Sequence, residues 1–143
     1  MRKALLLAII AAVGIIPTTS SAGVPVVKAC TQEGTTPYQV RNLIRCVAPR
    51  LGVSTSTALY IAHRESKFHP QVCNASDHCG VYQDARAIWS YISAHYVYGR
   101  AMDSLMGGGC TAGYITPWGR CSGRASVILN LRYVKHHGWQ PWS

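Results

Sequence analysis

Six cysteines, Cys30, Cys46, Cys73, Cys79, Cys110 and Cys121, constrain this 143-residue chain more than any other feature. All lie behind an N-terminus built like an export signal: Arg2 and Lys3, an apolar run from Ala4 to Ile16, then Ser20, Ser21 and Ala22 ahead of Gly23. That order predicts a secretory signal peptide over residues 1–22 with cleavage near Ala22. The run is shorter than the ~20 apolar residues that span a bilayer, so no stable membrane anchor is expected. An even number of cysteines in an exported chain predicts three disulfides, for which about fifteen pairings exist. The sequential pairing is favoured, because Cys73 with Cys79 and Cys110 with Cys121 each close a short polar or Gly-rich loop and leave Cys30 for Cys46. The competing use of these residues is zinc, since His63, His69, Cys73, His78 and Cys79 are close in sequence. No paired C-x-x-C spacing supports it, and no metal is expected.

Residues 23–143 then form one domain, with 12 basic against 5 acidic side chains once Arg2 and Lys3 are removed. A 48% hydrophobic share with only 13% charged residues excludes a disordered polycation, which could not bury enough apolar surface to fold. The basic residues are scattered rather than run together, so no nucleic-acid partner is indicated. A positive field of this size suits an anionic cell-wall polymer.

Helical periodicity dominates the rest. Thr36 and Pro37 read as an N-cap and first helical residue, Val40, Leu43, Ile44 and Val47 recur at helical spacing, and Pro49 with Gly52 should end the helix. Ser54 can cap a second helix through Leu59, Ile61 and Ala62 to about Ser66, which Pro70 prevents from continuing. Residues 69–83 read as an irregular, disulfide-held loop. A third helix fits Asp84 to about Tyr98, with Ile88, Trp89, Ile92 and Tyr96 on one face. After Gly107, Gly108 and Gly109 and a Tyr- and Pro-containing loop, a last helix runs from Gly123 to about His136 with Gly138 as its cap. No alternating strand pattern of useful length is present. The expected class is mainly α, with disulfide-stapled loops and at most a small β element.

Among so few carboxylates, Glu65 stands out because it closes an apolar helical stretch. Leu59, Ile61 and Ala62 before it and Phe68 after it would desolvate a carboxylate and favour the protonated form that a general acid needs. The competing role is a helix-end salt bridge to Arg64, Lys67 or Arg41.

The segment Glu65-Ser66-Lys67-Phe68-His69-Pro70, continued by Gly80-Val81-Tyr82-Gln83, resembles the signature of soluble lytic transglycosylases in the lysozyme-like superfamily. In that family Glu-Ser is followed by an aromatic two residues on, by Pro five after the Glu, Gly fifteen after and Gln eighteen after, and this chain meets each spacing. Ala58 to Arg64 is similar to the approach of the catalytic helix, and Gly138-Trp139-Gln140-Pro141-Trp142-Ser143 to the tail of many secreted members. The chain departs from the pattern at Asn74, where Ser is usual, and at Asp77-His78, where Gly-Ala is usual.

The resemblance implies a lysozyme-like domain that cleaves the β-1,4 bond between N-acetylmuramic acid and N-acetylglucosamine in peptidoglycan glycan strands. Glu65 would be the single acid and base, and the 6-hydroxyl of the muramic sugar would displace the neighbouring sugar to leave a 1,6-anhydro end, with no cofactor. Ser66, Asn74, Gly80, Tyr82, Gln83 and Tyr133 are the implied substrate-binding residues. Trp89, Tyr114 and Trp118 are further aromatic candidates for a groove or for packing, and Trp139 and Trp142 for stapling the tail. Two alternatives remain: a hydrolytic muramidase in which Asp77 or Asp84 assists Glu65 across the ~5–9 Å that paired carboxylates need, and a non-catalytic cationic wall-binding protein.

Overall fold

The computed structural model describes residues 26–96 and 119–143, and is mainly α. Among the described residues five α-helices follow in order: α1 (Val26–Ala29), α2 (Pro37–Leu51), α3 (Thr55–Ser66), α4 (Arg86–Tyr96) and α5 (Gly123–His137), closed by a 3-10 turn (Gln140–Trp142). The expected N-caps Thr36 and Ser54 act at their helix ends, and Ser122, not singled out in the sequence, does the same for α5. The hydroxyls of Thr36, Ser54 and Ser122 accept hydrogen bonds from the backbone N–H groups of Gln39, Thr57 and Ala125, each pairing a donor that the first helical turn leaves free. At the other ends Gly52 and Gly138 take positive φ, as does Lys67 after α3.

Three boundaries differ from expectation. Pro49 lies inside the last turn of α2 and Gly52 alone ends the helix. The lead into α2 contains the short α1, too brief to show a period. Asp84 precedes α4 rather than starting it, because its backbone is paired with Cys79 in a β-bridge. That bridge and a second between Cys73 and Cys79 are the isolated β features of the loop.

The main core is made by Val40, Leu43, Ile44, Val47 and Ala48 of α2 packed on Ala58, Ile61 and Ala62 of α3 and on Val127, Ile128, Leu131 and Val134 of α5. A second cluster joins Trp89 and Ile92 of α4 to Ala125 and Leu129 on the other side of α5. The N-terminal part of α5 is therefore enclosed from both sides, so its polar residues need internal partners. Arg124 donates to the carbonyls of Cys30 and Gln32, and Asn130 to Asp84 and the Ser126 carbonyl.

Cys30–Cys46 ties α1 to α2, and Cys73–Cys79 closes the loop between α3 and α4. Cys121 is also disulfide-bonded; its expected partner Cys110 lies outside the described residues, as do Tyr114, Trp118 and the predicted signal peptide. With Cys73 and Cys79 joined to each other, neither is free to bind zinc, and among the described residues no group of three or more His, Cys, Asp or Glu is placed to hold a metal ion. No helix among the described residues is long and apolar enough to cross a membrane.

Candidate functional site

The end of α3 and the loop after it meet the C-terminal tail around a cleft of about 580 Å³. Arg64 and Glu65 come from α3, Asn74, His78, Gln83, Asp84 and Ala85 from the loop, Ile88 from α4, and Pro141, Trp142 and Ser143 from the tail. Glu65 lies one turn beyond Ile61 and Ala62, which fill the core, but its own side chain opens into the cleft and is 23% exposed. The apolar jacket expected around it is replaced by a cation. Arg64 donates to Glu65 Oε1 from Nε at 2.8 Å and Nη2 at 2.6 Å, and its Nη2 also donates to the Trp142 carbonyl. Phe68 faces away toward His63 and Arg41.

The wall opposite α3 owes its shape to a densely bonded loop. Asn74 Oδ1 accepts from the backbone N–H groups of Ser76 and His78, forming a side-chain turn inside the disulfide ring. Asp77 is tied to Arg86 and to Arg120, whose side chain is 2% exposed and whose guanidinium also donates to the backbone carbonyls of Asp77 and Asp84. Hydrogen bonds from Arg120 and then Arg86 hold the Asp77 carboxyl below the ordinary aspartate range. Gly80 has φ +85°, and a Cβ there would stand 2.0 Å from the Arg120 carbonyl oxygen, so glycine is required on both counts. Gln83, at φ +53°, donates from Nε2 to the carbonyls of Val72 and Gly80 and faces the cleft.

No family model, curated protein or solved structure matches the chain.

Of the residues expected to bind substrate, Asn74 and Gln83 line the cleft with Glu65. Ser66 does not: it is buried and its hydroxyl hydrogen-bonds the carbonyls of Ala62 and Val81, fastening α3 to the loop. Gly80 lies behind the wall against Arg120. Tyr82 is fully buried, with its hydroxyl donating to the Ala58 carbonyl, and burial together with the charge of Asp84 pushes its phenol up. Tyr133 packs edge-on to Trp142 with ring centroids 6.1 Å apart, one residue back from the cleft. Trp89 is core.

Trp142 is both staple and lining: its Nε1 donates to the Tyr82 carbonyl at 2.7 Å while its side chain belongs to the main core and the residue borders the cleft. The tail's approach to Glu65 depends on long-range packing that no local pattern encodes. Asp84 is the second acidic residue of the cleft. It is 1% exposed, accepts at Oδ2 from Asn130 Nδ2 at 2.8 Å, and has no partner for Oδ1 among the described residues. Burial pushes its carboxyl up to about 7, against the opposing effects of the Asn130 hydrogen bond and the Arg120 charge.

Proposed function

We propose that this protein is an exported peptidoglycan-cleaving enzyme of the lysozyme-like kind, acting as a lytic transglycosylase with Glu65 as its single acid and base. The observation that carries the reading is the position of Glu65 at the end of α3 in the wall of a cleft shared with Gln83, the residues that begin and end the spaced motif. In this reading Glu65 gives its proton to the glycosidic oxygen as the bond breaks. It then takes the proton of the muramic 6-hydroxyl as that oxygen closes on the anomeric carbon. Atoms and charge balance without water or a second carboxylate. Binding of a glycan strand displaces Arg64 from Glu65 Oε1, leaving its guanidinium on the Trp142 carbonyl.

The disulfides and the apolar N-terminal run support an extracytoplasmic location, with residues 1–22 as signal peptide. The net positive charge supports attraction to anionic wall polymers. Hydrolysis is the second reading, favoured by the presence of Asp84 in the same cleft; Asp77 serves it less well, since both its oxygens are held by arginines. Mass spectrometry of muropeptides released from purified cell wall separates the two. Transglycosylation yields ends one water lighter than hydrolysis, hydrolysed ends alone would transfer the assignment to a muramidase, and absence of both products would leave a wall-binding protein.

A further inference from the structure

Two buried oxygens of one bonded pair, on Asp84 and Asn130, lack a donor. Asn130 Nδ2 donates to Asp84 Oδ2 at 2.8 Å and to the Ser126 carbonyl at 2.9 Å, so the orientation of the Asn130 amide is fixed by both of its N–H groups. The remaining oxygen of each side chain, Asp84 Oδ1 and Asn130 Oδ1, is buried without a hydrogen-bond partner among the described residues. While Asp84 is ionised neither oxygen can satisfy the other, because both only accept. One proton on Asp84 Oδ1 supplies the donor. A carboxylic acid and a primary amide then match edge to edge, the amide N–H donating to one carboxyl oxygen and the acid O–H to the amide oxygen.

We propose that Asp84 and Asn130 form a proton-dependent acid–amide clasp that fixes the inner wall of the cleft, with Asp84 as a positioning residue. Asp84 is well placed to hold that wall. Its backbone N–H donates to the Cys79 carbonyl at 2.8 Å, and its carbonyl accepts from the Cys79 N–H at 3.1 Å and from Arg120 Nη1 at 3.1 Å. Gln83 precedes it directly, so a clasp onto α5 anchors both the disulfide-closed loop and the glutamine that lines the cleft with Glu65. Ionisation leaves a dry carboxylate with one side-chain donor and loosens that anchor.

The charges around Asp84 agree with a neutral acid. From the segment before α5, Arg120 is the nearby cation, and Asp77 is bonded to it. From α5, Asn130 is bonded to it, while Arg124 is directed to Cys30 and Gln32. From the start of α4, Arg86 is engaged by Asp77. Within the loop, the Tyr82 hydroxyl is turned to Ala58, and His78 borders the cleft together with the Arg64–Glu65 pair. Burial outweighs Arg120 and moves the carboxyl to about 7.

The test compares denaturant unfolding of the parent and Asp84→Asn from pH 3 to 9. The amide of the variant can complete the same edge at every pH, and the histidines are common to both proteins. The folding constant of the variant should gain on the parent as pH rises from about 4 to about 7, by at least about tenfold, and the gap should then level off. Parallel curves, or a gap that moves the other way, would overturn the clasp, including the case of a bridging water beside an ionised Asp84. If the variant fails to fold, carboxyl-carbon NMR of the parent decides: titration of Asp84 near 7 supports the clasp and titration near 4 removes it. The effect on the cleft rests on the proposed enzymatic reading and has its own readout, a higher ratio of wall-cleaving activity at pH 8 to that at pH 6 in Asp84→Asn. A parent without any wall-cleaving activity would remove that reading and leave the stability result standing.

Discussion

Single side chains decide the shape of this cleft, and Gly80 is the sharpest case. Its positive φ and the Arg120 carbonyl in the place of a Cβ leave no room for any other residue. Gly80→Ala is expected to lower unfolding free energy by about 3 kcal/mol or more, since the backbone must move and the clash is with another backbone atom; urea denaturation measures it. Arg120 is nearly as critical. Arg120→Met should cost roughly 3 kcal/mol by the same measurement, because the carbonyls of Asp77 and Asp84 lose donors inside the protein. The exposed pair of Arg86 with Asp77 is a different matter, and Arg86→Ala should change stability by less than about 1 kcal/mol. Glu65 and Gln83 were legible as cleft-lining residues because they begin and end a spaced motif, and Asn74 because it stands at a position of that motif although it departs from the usual Ser. Ser66 and Tyr82 belong to the same motif yet face inward, since the hydroxyl of one and the ring of the other are used to join α3, the loop and the tail. Motif spacing marks residues that are needed together and does not distinguish lining from support.

At the scale of elements, helices were legible where a cap and an apolar stripe coincided, as at Thr36 with Val40 to Val47 and at Gly138 with Val127 to Val134. The start of α4 was not, because Asp84 is an acceptable first helical residue locally and only its pairing with Cys79 commits it to the loop. Burial of α5 on two sides was likewise hidden: Ala125 and Leu129 read as ordinary members of a helix until α4 covers them. The loop between α3 and α4 supplies most of one wall of the cleft. Its disulfide closes a ring of a few residues, for which the chain-entropy account gives about 2 kcal/mol. Replacing Cys73 and Cys79 together by Ser should lower stability by about that amount. It should also reduce wall cleavage well below the melting temperature, since Asn74 and His78 are held inside the ring; a matched thermal melt and activity assay separates the two effects.

For the whole molecule, the two aspartates of the loop set opposite limits on pH. Asp77 has a lowered carboxyl in the fold, so its contribution is present above about 4 and is lost on further acidification. Asp84 has a raised one, so folding loses stability as pH climbs from about 4 to about 7. Unfolding measured across pH should therefore show greatest stability on the acidic side of neutrality, and Asp77→Asn should flatten the acid limb. The scarcity of carboxylates gives these two residues such leverage, and it also makes a mechanism with one catalytic carboxylate suit this chain. That claim has a direct test. Glu65→Gln preserves size and leaves a surface ion pair as its main loss, so the variant should fold with nearly the parent's melting temperature. Incubated with a cell-wall suspension, it should release muropeptides at least about a hundredfold more slowly than the parent. Release at the parent's rate from the folded variant would contradict the assignment of Glu65 as the acid and base.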